Sequence, residues 1–218
     1  MTKKENNLMY IKILLGAILA VLVLLLVLNL SNNNKTADAF LKETTSKTDN
    51  QANHFLGNED APLVMYEYSS FTCPFCKRYQ IDDQTFETIK KEYIDTGKIK
   101  YVYQHFVRNE IDIKAANAAE CAGEQDMFFE YKKKLYENQT DLPKEEFSKY
   151  AQELDLDVTA FESCLAENKY VNKITQDKQD GVNKGISGTP GFIVGNQRIS
   201  GAQDYQVFKA AIDEQLWI

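Results

Sequence analysis

Cys73 and Cys76 stand three residues apart in SSFTCPFCKRYQ, Ser69 to Gln80, where an apolar β-like run gives way to a polar, helix-compatible one. Two thiols at i and i+3 fall on one side of a helix and can close a disulfide if the first sits at the helix start, where the backbone is not yet regular. A thiol at that position gains from unpaired N–H groups, and such thiols titrate between roughly 3.5 and 7. The chemistry on offer is thiol–disulfide exchange, which needs no cofactor.

The same pair is also half of a zinc site. Zinc would need two more ligands, and Cys121, Cys164, His54 and His105 contain no second closely spaced pair. No metal is therefore expected. Four cysteines make an even count, so once the first pair is closed Cys121 and Cys164 are left to each other in an oxidising compartment. The competing reading of these two is a pair of buried thiols acting as small hydrophobes.

A second constellation is GISGTPGFIV, in which Thr189-Pro190 runs directly into a strand-like stretch. Proline cannot donate to a central ladder, so it belongs at a strand start. From local sequence alone an ordinary trans turn is favoured over a cis bond before it.

These residues need elements to hold them. LVMYEY, Leu63 to Tyr68, follows a turn at Asn58–Pro62 and reads as a buried strand. From Cys73-Pro74 a helical pattern runs through Phe75, Tyr79, Phe86, Ile89 and Tyr93, and Gly97 ends it. KIKYVYQHFV, Lys98 to Val107, is a second strand. Ile111 to about Gly185 is predicted helical throughout, broken at Pro143, with Asp157 as an N-cap before VTAFESCLA. GFIV, Gly195-Asn196 and QRIS spell a hairpin, and a helical period returns from Tyr205. The order predicts an α/β sheet interrupted by a helical insertion at about 110–185.

EYSSFTCPFCKRY, the block containing AAECAGEQDMFFEYKKKLYENQ, and GISGTPGFIVGNQRISGAQDYQVFKAAI together resemble the DsbA-like thiol:disulfide oxidoreductases, over about Gly57 to Leu216. The resemblance implies a thioredoxin fold with a helical subdomain inserted between its halves. It implies that Pro190 is a cis proline facing the cysteine pair. It also implies that Glu67, six residues before Cys73, is partly buried beneath the disulfide and handles the proton of the second thiol. Strand alternation alone leaves Glu67 equally able to face solvent. Cys73 is expected to be the exposed, attacked sulfur. Thr189 and Pro190 would offer backbone groups to an extended substrate, with Pro74 and Phe75 beside them.

Residues 1–10 carry Lys3 and Lys4, and residues 11–30 contain the apolar run ILLGAILAVLVLLLVL, long enough to span a bilayer. The positive flank predicts an N-in, C-out anchor, with a cleaved signal as the alternative. Residues 31–56 are polar and aperiodic, a tether, which leaves 57–218 for one exported domain. With a net charge of −7 and no basic cluster, nucleic acid is not an expected partner.

The expected activity is a membrane-tethered oxidoreductase that places disulfides in unfolded exported proteins with free thiols. A quinone-linked membrane partner, which the resemblance implies, would reoxidise it. A reductase or isomerase using the same pair, and a non-catalytic peptide-binding chaperone, are the alternatives. Three features read blandly: Asn138-Gln139-Thr140 as a chance glycosylation sequon, His105 as a packed or solvated histidine, and Lys132–Lys134 as a solvated helix face.

Overall fold

A computed structural model describes residues 54–144 and 146–217. The segment 11–30 and nearly all of the expected tether lie outside them. Among the described residues no helix is long and apolar enough to cross a membrane.

Among the described residues, five strands form one sheet in the order β1-β3-β2-β4-β5. The central pair, β2 (Leu63–Ser69) and β3 (Ile99–His105), is parallel, with Glu67 opposite Tyr103. β4 (Gly191–Val194) adds antiparallel to β2, and β5 (Gln197–Ser200) closes the predicted hairpin at the edge. On the other side β1 (Phe55–Leu56) pairs antiparallel with β3. The tether expected over 31–56 therefore stops short: His54 to Leu56 belong to the domain. Two residues are too few to show an alternating pattern, and the hydrogen bonds of β3 recruit them regardless of period.

The helix expected from Pro74 to Tyr93 is divided. α1 (Pro74–Lys77) runs into a π-helical turn at Arg78–Asp82, and α2 (Thr85–Ile89) into another at Lys90–Ile94. Between them Gln84 takes a left-handed conformation, φ 55°, behind two aspartates that favour turns over helix interiors. Five helices separate β3 from β4: α3 (Glu110–Gly123), α4 (Phe128–Glu137), α5 (Phe147–Glu153), α6 (Val158–Glu167) and α7 (Val171–Asn183). Gln139–Lys144 is a 3-10 stretch around the break expected at Pro143. Asp157 caps α6 by accepting from the Ala160 N–H at 3.0 Å. α8 (Tyr205–Leu216) follows the hairpin.

The main core lies between the sheet and the helices, and α4 shows why it forms. Phe128, Tyr131, Lys132, Leu135 and Tyr136 are its buried residues, spaced 3, 1, 3 and 1. That stripe is the inward face of an amphipathic helix. Truncating Leu135 there should cost about 2–5 kcal/mol. On the opposite sheet face a smaller cluster gathers Tyr68, Phe106 and Ile186. α7 reaches it through Gly181, where a Cβ would lie 2.7 Å from the Tyr68 ring.

The pattern of α4 also corrects one expectation. Lys132 is not on a solvated face; it is 2 % exposed, while Lys133 is open to solvent. A run of three lysines crosses almost a whole helical turn, so one of them must point inward.

Candidate active site

β2 delivers its last residues into a loop gripped mostly by the helical insertion. The buried Asp112 of α3 accepts from the Phe71 N–H at 2.7 Å and the Arg108 N–H at 2.9 Å. Gln139 donates its amide to the carbonyls of Phe71 at 2.7 Å and Cys73 at 2.9 Å. Cys73 emerges from this loop as the N-cap of α1, with extended φ −90° and ψ 119°, and Pro74 occupies the first helical turn. There its missing N–H costs nothing. Cys76 follows one turn on, fully buried.

Cys73 and Cys76 are both free thiols. The hydrogen bond from Cys76 holds the Cys73 thiol down to about 5; burial opposes this, and Thr189 and the backbone N–H groups of Cys76 and Phe75 assist. Cys76 is driven the other way. Burial pushes it well above the usual thiol range, and the neighbouring Cys73 adds to that, against a weaker opposing bond from Ser69. Two thiols one turn apart thus hold opposite protonation preferences.

Cys73 was expected to be exposed and is not, at 1 %. The loop before β4 covers it: its Sγ lies 3.2 Å from the Thr189 carbonyl, to which the thiol donates. The Thr189–Pro190 bond is cis. The Thr189 hydroxyl is buried without another partner and is free to donate once the sulfur is ionised. Pro74 and Phe75 are exposed, Phe75 at 55 % with the Arg78 guanidinium 5.4 Å from its ring centre. Arg78 in turn donates to the Ala202 carbonyl.

Glu67 is fully buried on the core face of β2, with Leu63 and Met65. Its Oε2 accepts from Gln80 Nε2 at 2.7 Å and from the Tyr101 hydroxyl at 2.8 Å, while Oε1 has no partner. Lys132 Nζ donates to Gln80 Oε1 at 2.9 Å and to the Tyr101 oxygen at 3.3 Å. A buried carboxylate and ammonium thus share two neutral bridges.

Cys121 and Cys164 are disulfide-bonded, joining α3 to α6 with Cα atoms 5.8 Å apart. Close by in sequence, Glu120 collects His105 Nε2 at 2.8 Å, His54 Nε2 at 3.0 Å and Lys173 Nζ at 3.0 Å. Burial would raise the Glu120 carboxyl, but the two histidine bonds and the lysine charge outweigh it and hold it well below the carboxylate range. His105, Glu120 and Asp177 come close enough to ligate a cation. The Lys173 ammonium, also 3.1 Å from Asp177, already supplies the positive charge.

Asp112, Gln80 and Ser69 were not singled out from sequence, and Gln139 and Lys132 were read there only as part of a chance sequon and of a solvated helix face. Only Lys132 left a signal there, its place on the helical stripe of Phe128, Tyr131 and Leu135.

A cysteine pair at a helix start, faced by a cis proline on a thioredoxin-like sheet, defines a dithiol–disulfide protein. The thioredoxin family model matches residues 49–214, and the chain belongs to that family, as a DsbA-like member. Oxidised BdbD from Bacillus subtilis superposes with a TM-score of 0.69 at 24 % identity, covering 76 % of this chain and 94 % of that one. Wolbachia pipientis alpha-DsbA1 gives 0.64 at 29 % identity, covering 76 % and 91 %. A curated relative, the Na(+)/H(+) antiporter NhaA 3 of Salinispora tropica, is 30 % identical over 167 residues, 75 % of this chain and 25 % of the antiporter. The chain spans about a quarter of the length of the curated relatives it matches, and ion transport is a property of those longer proteins.

Proposed function

We propose that this chain donates disulfides to unfolded exported proteins from the outer face of a membrane, tethered by residues 11–30. The observation that carries the direction is the asymmetry of the two thiols, Cys73 held down to about 5 and Cys76 pushed up. A stabilised Cys73 thiolate favours the reduced enzyme and makes Cys73 a good leaving group, which is the condition for giving a disulfide away.

A substrate thiolate attacks Cys73 Sγ of the oxidised pair, and the electron pair of the S–S bond leaves on Cys76. Cys76, whose thiolate is disfavoured, takes a proton, with Glu67 as the group that supplies it. A second substrate thiolate then attacks the substrate sulfur of the mixed disulfide and expels Cys73 as a thiolate. Because Thr189 covers Cys73, the first attack requires that contact to yield. The exposed Pro74 and Phe75 flank the point of entry, and an extended substrate would take over the Thr189 backbone. A quinone-linked membrane protein would then reoxidise the pair.

The equilibrium potential against glutathione tests the direction. A value at or above about −180 mV agrees with a donor; one near −270 mV would transfer the reading to a reductase.

A further inference from the structure

We propose that Lys132, brought in by the helical insertion, and Tyr101 form a proton relay that connects Glu67 to solvent. It rests on the role of Glu67 proposed above and extends it from a single residue to a route.

The geometry is directional. Tyr101 accepts from Lys132 Nζ at 3.3 Å and donates to Glu67 Oε2 at 2.8 Å, so one phenol both receives and passes a proton. Gln80 holds the ends in register, donating to Glu67 at 2.7 Å and accepting from Lys132 at 2.9 Å. Lys132 also lines a cavity of about 180 Å³, bounded by Gln80, Phe86 and Phe129 and open to the surface. Gln80, Glu87, Lys90 and Glu130 set polar groups in its otherwise apolar wall, and a volume of that size admits several waters. The inner end of the route is the partnerless Glu67 Oε1.

Ionisable groups face Lys132 from each element around it. Glu67 comes from β2, Tyr101 and Tyr103 from β3, and Glu87 from α2. At the cavity stand Lys90, just beyond α2, and Glu130 and Lys133 from its own helix. Tyr79, from the turn after α1, feels the Glu67 charge as well. Burial lowers Lys132 to about 8, with Glu67 and Glu87 opposing, so it can release a proton near neutral pH.

The step balances as follows. When substrate attack puts the S–S electron pair on Cys76, a Lys132 ammonium proton moves to the Tyr101 oxygen as the Tyr101 hydroxyl proton moves to the Glu67 carboxylate. The carboxyl proton then passes to that sulfur. The neutral lysine then regains a proton from cavity water. All electron transfer stays among the sulfurs: the cysteine pair gains two electrons and the two substrate thiols lose them.

The test is single-turnover reduction of the oxidised full chain in detergent by a thiol peptide, acid-quenched between pH 5 and 9. Lys132→Met, Tyr101→Phe and Glu67→Gln are compared with wild type as rate ratios, so that titration of the peptide cancels. Lys132→Met and Tyr101→Phe should be about tenfold slower below pH 8, within the range of general acid catalysis, and approach wild type as Lys132 loses its proton above it. Tyr101→Phe keeps the ring and carries the test alone if Lys132→Met does not fold. If Glu67→Gln is slow while the other two match wild type, or lag equally at every pH, the relay is refuted and the role of Glu67 stands. If Glu67→Gln itself matches wild type throughout, both fall.

Discussion

Gln139, in the 3-10 stretch of the insertion, donates its side-chain amide to the backbone carbonyl of Cys73 at 2.9 Å. The same nitrogen reaches the Phe71 carbonyl at 2.7 Å. The insertion therefore fixes the loop that aims the N–H groups of Phe75 and Cys76 at the Cys73 sulfur. Gln139→Ala should leave the fold intact at a cost of about 1 kcal/mol, the net worth of such bonds. Cys73 should titrate closer to an ordinary thiol. Thiolate absorbance of the reduced variant against pH checks this, and an unchanged midpoint would mean the loop is held well enough by Asp112 alone.

Stability should follow Cys73. Its folded value, about 5, lies below that of an unfolded thiol near 8.5, so the thiolate stabilises the reduced fold fully above the unfolded value and not at all below the folded one. Between these limits the effect grows with pH, to the order of 2 kcal/mol at pH 7. Cys76 stays protonated in the fold and opposes this only as the pH nears the unfolded thiol's value, where the unfolded form ionises and the folded one does not. Melting the reduced and oxidised forms from pH 4 to 8 should show the reduced form gaining on the oxidised one. A constant difference would mean that Cys73 does not titrate low.

The division between the two sulfurs has a covalent consequence. Cys76→Ser keeps the thiolate that attacks a substrate disulfide but removes the neighbouring thiol that would release the mixed disulfide from within the enzyme, so it should trap substrate proteins on Cys73. Cys73→Ser leaves only a buried thiol with a raised titration and should trap none. Non-reducing gels after acid quench read both, and equal trapping would reverse the assignment.

How far the sequence announced this site depends on the range of each interaction. Cys73, Pro74 and Cys76 are contiguous, and a helix start needs only local rules, so their arrangement was legible. Glu67 was half legible. Alternation puts it with Leu63 and Met65, but Tyr68 on the other face is buried too, so β2 lacks the polar side that would decide between faces. Gln139 and Asp112 reach the loop across 66 and 41 residues of chain, and no local pattern encodes that closure. Lys132 was misread because its charge was weighed before its position in the helical period. The cover over Cys73 escaped notice for a related reason: it comes from Thr189, 116 residues away.

The disulfide between Cys121 and Cys164 offers a separation of stability from activity. It closes a loop with a sequence separation of 43 residues. The chain-entropy treatment assigns a closure of that length about 4 kcal/mol, taken from the unfolded state. Cys164 is buried, with its sulfur 3.3 Å from a Glu124 carboxylate oxygen. The bond ties α3 to α6, whereas Asp112 and Asn109 hold the active-site loop from the other end of α3. Cys121→Ala/Cys164→Ala should therefore melt well below wild type yet keep most of its exchange rate at temperatures where it remains folded. Calorimetry and peptide oxidation at 20 °C measure the two halves. A folded double variant with lost exchange would show that this pair also carries electrons, and an unchanged melting point would show that the insertion is held by its packing and by the ion cluster around Glu120.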